Sequence, residues 1–249
     1  MGFKGIAALG IFLVTGQACA IDAGCPELSE LLHEDLKGQC VGDYLTFEDY
    51  KTSGITISAY KVSPFHTWGN PRYRDYDSEA EFQKSEALTQ ARSLHWDYGH
   101  LANEKIISAD IKSRFLSFNR VPMPPALNRS GGVWNELEKY EIEMAKEIGP
   151  LKVLAGYSYK KESEQHFYFK IYISEHKTTA SFLIPGNYAE GSIQSYISSM
   201  QCIEQTIDGS IFNDQSNLVA ETYNDFAFTP HVWTAGKNDR LDCELGRDI

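Results

Sequence analysis

Apolar residues change their period along this chain, and the changes mark its elements. Leu28, Leu31, Leu32 and Leu36 recur at helical spacing, which predicts a short helix over 26–37 closed by Gly38. From 55 the pattern turns β-branched and alternating, with Ile55, Ile57, Ala59 and Val62, and predicts a strand up to Pro64. Residues 65–77 hold Gly, Pro, Asn and aromatics and read as a loop, and 78–94 read as partly helical. Residues 94–100 predict a short strand ending in a turn, where Gly99 supplies backbone freedom. A helix over 108–114 and a strand over 115–121 follow, and Pro122, Pro124 and Pro125 then break regular structure. Residues 128–132 are polar and glycine-rich and lead into a helix over 133–148, with Val133, Leu137, Tyr140, Ile142 and Met144 as its apolar stripe and Gly149-Pro150 as its stop. Strands over 151–158, 166–173 and 178–184 come next, the first two as a hairpin, then a helix over 195–206. After 213 the pattern weakens into a polar tail. This order predicts an α+β fold rather than an alternating parallel one.

The two ends change the picture of where the protein works. Lys4, an apolar run over 6–14 and Ala18-Cys19-Ala20 have the layout of a signal peptide cleaved after Ala20, which would leave a soluble, secreted or periplasmic chain with no membrane attachment. Cys25, Cys40, Cys202 and Cys243 then remain, an even number in an export context. Four cysteines allow three pairings, and local loop closure favours Cys25–Cys40 and Cys202–Cys243. Net charge is −11 over the 249 residues, unfavourable for a nucleic-acid binder. Its distribution is less hostile. Residues 21–60 carry eight acids and two bases, and 201–249 carry nine acids and three bases. Residues 101–130 carry Lys105, Lys112, Arg114, Arg120 and Arg129 against Glu104 and Asp110.

That basic segment borders the candidate chemistry. Asp97-Tyr98-Gly99-His100-Leu101-Ala102 places a histidine in a glycine-bounded turn. Downstream stand Leu116-Ser117-Phe118-Asn119, Val121-Pro122, Leu127-Asn128-Arg129 and Val133-Trp134-Asn135-Glu136-Leu137-Glu138. Singly, each has an ordinary explanation: a turn histidine, a helix N-cap asparagine, a solvent-facing helix glutamate. In this order they suit phosphodiester hydrolysis, where a neutral histidine activates water near neutral pH and a hydrated Mg²⁺ needs few protein oxygens.

Order and spacing together resemble the DNA/RNA non-specific endonucleases, the family of endonuclease G and secreted bacterial nucleases. The resemblance covers roughly 42–212 and divides the chain into a signal peptide (1–20), an N-terminal extension (21–41), the endonuclease domain (42–212) and a C-terminal extension (213–249). It implies a ββα-metal nuclease fold, a central mostly antiparallel sheet flanked by helices. It implies His100 as the base, Asn128 as the direct ligand of Mg²⁺ (or Mn²⁺), Glu138 as the acid orienting metal-bound water with Glu136 as the alternative, Asn119 as a polar partner near the histidine, and Asp97 as the motif's structural or histidine-orienting acid. Arg72 or Arg74 would clamp phosphate, with Tyr98 and Arg129 also on the substrate side. DNA and RNA are the implied partners, and a homodimer or an inhibitor protein is compatible with them. Tyr98 stands where the family has arginine, and Ser130-Gly131 reads as an extra pair ahead of the helix. A catalytically weakened module of the same fold, binding nucleic acid or a protein, is the alternative reading.

Overall fold

Alternation over 55–62 does produce a strand, and it lies inside a six-stranded, wholly antiparallel sheet. The computed structural model describes residues 28, 32–33, 36, 38–41, 44–49, 54–67, 93–107, 119–175, 179–186 and 192–212. The sheet runs β1 (Gln39–Val41), β2 (Tyr44–Asp49), β3 (Ile55–Val62), β6 (Leu151–Lys160), β7 (Gln165–Ser174), β8 (Thr179–Pro185) in spatial order. A separate two-stranded ribbon joins β4 (Asp97–His100) to β5 (Arg120–Met123). Helices α1 (Pro125–Asn128) and α2 (Val133–Ile148) follow the ribbon, and α3 (Met200–Ile207) closes the described chain.

Each face of the sheet has its own core because side chains alternate along a strand. Ile57, Ala59, Leu154, Phe169 and Ile171 point to one face, where Ile203 and Ile207 of α3 and Leu28 and Leu32 cover them. Tyr60, Val62, Val153, Tyr157, Tyr168 and Tyr172 point to the other. Against that second face pack Trp134, Leu137 and Ile142 of α2 and Val121 and Met123 of the ribbon. The ribbon and α2 are therefore anchored by the same apolar layer.

Several expectations meet tertiary structure that a local pattern does not contain. The helix expected over 26–37 does not continue to its end: Leu28 is helical, but Leu32 bridges Phe212 and the His33 N–H donates to the Ile211 carbonyl. No strand was expected at 39–49, where two form. The strand expected over 115–121 is observed at Arg120–Met123, through Pro122, because a ribbon edge tolerates a missing N–H. Residues 108–118 lie outside the described ones. The helix expected over 195–206 is split: a 3₁₀ turn at Ile193–Tyr196, a bridge from Ile197 to Phe182, then α3, whose N-cap Ser199 accepts from the Cys202 N–H at 3.0 Å. Cys202 is a buried free thiol on the inner side of α3, unlike the expected Cys202–Cys243 bridge, and Cys243 lies outside the described residues. The expected partner of Cys40, Cys25, lies outside the described residues. Gly99 shows no left-handed backbone either. It sits within β4, where the Met123 side chain fills the space a Cβ would need.

Candidate functional site on the ribbon and helix

Ribbon register decides which groups meet. Asp97 pairs with Met123, Tyr98 with Pro122 and His100 with Arg120. Tyr98 and His100, two residues apart, share one face of β4, and Arg120 opposite His100 shares it too. The turn after His100 is held by asparagines. Asn119 is completely buried, and its side-chain oxygen accepts from the Ala102 N–H at 2.7 Å and the Ser58 hydroxyl at 3.1 Å. Its side-chain nitrogen donates to the Ala102 carbonyl at 3.3 Å. Asn119 thus pins the segment following His100 to β3 and acts on the histidine through the backbone. Trp134 adds a second tether, its indole N–H donating to the His100 carbonyl at 3.1 Å.

Asp97 does not orient the histidine. Its carboxylate takes two bonds from the Arg129 guanidinium, at 2.9 and 2.8 Å, and a longer one of 3.4 Å from the Asn128 side-chain nitrogen. The Arg129 bonds hold the Asp97 carboxyl below the usual aspartate range, against the opposing effect of its partial burial. Asn128 closes α1 and is half-buried, and α1 approaches the start of α2 so closely that a Cβ on Gly132 would strike the Ala126 and Leu127 carbonyls. The carboxylate beside His100 is instead Glu104, whose Oε2 lies 3.6 Å from Nδ1. Sequence reading missed it, although the His-x-x-x-Glu spacing was visible.

Glu138 and Glu136 part company on α2. Glu136 lies toward solvent and pairs with Lys139 at 2.6 Å. Glu138 faces inward and is 8% exposed. Burial raises its carboxyl to about 7, with Lys170 pulling it down and Glu141 pushing it up. Lys105 and Glu104, in the turn after His100, also act on it, and the Glu138 backbone carbonyl accepts from the Asn103 side chain of that turn at 3.4 Å. One helical turn on, Glu141 is fully buried and accepts from the Tyr60 hydroxyl at 2.9 and 3.0 Å, from the Asn103 side chain at 2.7 Å and from Lys170 at 3.0 Å. Lys170 also lies 4.6 Å above the Trp134 ring.

The structure therefore brings together Asp97, Asn128 and Arg129, and separately His100, Glu104 and the clamp of Asn119. Glu138 reaches the same turn from α2. Arg72 and Arg74 fall outside the described residues. Among the described residues no cluster of three or more His, Cys, Asp or Glu is placed to hold a metal ion, and no helix is long and apolar enough to cross a membrane. No protein-family model matches the chain, and a search of curated proteins gives no similar sequence.

Proposed function

We propose that this chain is an exported, Mg²⁺-dependent endonuclease of the ββα-metal kind, hydrolysing DNA and RNA with little sequence preference. The observation that carries the reading is the junction of ribbon and helix: β4 bears Asp97 and His100, and α1 brings Asn128 into contact with Asp97. Asn128 suits a hydrated Mg²⁺ because its side-chain nitrogen is turned to Asp97, which leaves the carboxamide oxygen as a hard donor, and such an ion needs only one or two protein oxygens. When bound, the ion supplies positive charge to the phosphate and the departing oxygen.

The chain's own groups do the rest. A neutral His100 takes a proton from water as the water oxygen attacks phosphorus in line. The bond from phosphorus to the 3′ oxygen breaks and that oxygen takes a proton from solvent, leaving a 5′-phosphate and a 3′-hydroxyl. Glu104, 3.6 Å from Nδ1, stabilises the imidazolium formed in that step. Glu138, with its carboxyl near 7, is poised to exchange a proton at neutral pH.

Incubation with plasmid and Mg²⁺ tests the reading directly. The mature protein should nick and linearise the plasmid, chelation of the ion should stop it, and His100→Ala should slow it about 10³-fold. Equal cleavage by wild type and His100→Ala would sink the enzymatic claim. One observation favours the binding-module alternative: Arg129 is neutralised by Asp97 while position 98 is uncharged. That alternative requires salt-sensitive oligonucleotide binding without cleavage.

A further inference from the structure

Phosphate hydrolysis beside His100 calls for a fixed cation on the same face, and the ribbon register supplies one from the opposite strand. His100 pairs directly with Arg120, so their Cβ atoms lie on one face, about 4.5–5.5 Å apart as such pairs do. Tyr98, two residues before His100, shares that face, and the Arg120 guanidinium carbon sits 5.3 Å from the centre of its ring. The ring is a platform for a planar cation. Arg120 itself is half-buried, with its Nε fully enclosed, so part of the stem is already ordered and little freedom remains to be lost on binding.

We propose that Arg120, laid over Tyr98, is the residue that contacts the scissile phosphate beside His100. This rests on the nuclease reading and deepens it, for Tyr98 then serves as a positioning residue for a charge delivered from β5. The substrate class is a phosphodiester monoanion approached by a forked guanidinium, a geometry a lysine does not reproduce.

The test uses the mature full chain and the variants Arg120→Met, Arg120→Lys and Arg120→Met combined with Tyr98→Arg, each first checked for a native thermal transition. With plasmid and Mg²⁺, Arg120→Met should lose about 10²-fold in kcat, more than it changes KM. Arg120→Lys should recover only part, and adding Tyr98→Arg should restore most of the loss by returning a guanidinium to the same face. A folded Arg120→Met with wild-type kcat would overturn the proposal and leave the nuclease reading standing. Should Arg120→Met not fold, Arg120→Gln, which can replace hydrogen bonds but not charge, is read in the same way. If wild type itself does not cleave, the nuclease reading fails and binding of fluorescein-labelled oligodeoxythymidylate decides. A logarithmic salt slope reduced by about 1 in Arg120→Met keeps the phosphate contact, and an unchanged slope and affinity removes it.

Discussion

A glutamate that still holds half its protons near pH 7 weakens the fold that contains it. Unfolded, Glu138 would ionise near 4.5, whereas folded it does so near 7. Between those values the native state keeps a proton that the unfolded state has given up, so stability falls as pH rises through the interval and the full cost is present above it. Glu138→Gln carries no such penalty. It is expected to raise stability at pH 8 by on the order of 1–3 kcal/mol, seen as a higher Tm, and to give little gain at pH 5. The same variant should lower plasmid cleavage, because the group that costs stability is the one poised for proton exchange. A Tm gain of equal size at both pH values would show that ionisation is not the cause.

At the scale of elements, the ribbon behaves as a part bolted to the sheet by side-chain amides. Asn119→Ala would leave the Ala102 N–H and the Ser58 hydroxyl without their buried acceptor. A loss of about 2–4 kcal/mol is expected in urea unfolding, with kcat falling more than KM rises as the His100 turn loosens. Near-wild-type kcat in a folded Asn119→Ala would mean that the clamp does not position the histidine. This scale is also where the sequence was legible and where it was not. The stripe of α2 was readable because the helix buries one continuous face, and β3, β6 and β7 were readable as apolar and aromatic runs because both faces of their sheet are covered. Leu32 and Ile197 were not, since what holds them is a pairing with Phe212 and Phe182 from far along the chain. Asp97, His100 and Asn128 were legible as residues, but their partners were not. Arg129 on Asp97 is a matter of ribbon and turn geometry that leaves no mark in composition or period, and the spacing of Glu104 from His100 was visible but says nothing by itself of a contact.

Across the whole molecule, charge is segregated along the sequence and paired within the core. Acid dominates both ends of the sequence, while bases gather at 101–130. Within the core, Glu141 and Lys170 form a pair sealed from solvent on both sides. Such a pair adds little net stability over apolar residues, yet breaking it is expensive. Lys170→Met is therefore expected to cost about 3–5 kcal/mol in urea unfolding by stranding the Glu141 carboxylate, and Lys170→Met with Glu141→Gln should regain most of it. If the double variant were no more stable than the single one, the stranded charge would not be the cause.

The sealed pair also fixes how α2 can be altered. Each residue of an α-helix advances the side chains by about 100° around its axis. An insertion or deletion within α2 ahead of Glu141 would swing that carboxylate away from Lys170, Tyr60 and Asn103 together. The pair thus works as a key in a slot. It admits one rotational phase of the helix, whereas Ser130-Gly131 stand in the turn before α2, where phase is not yet set.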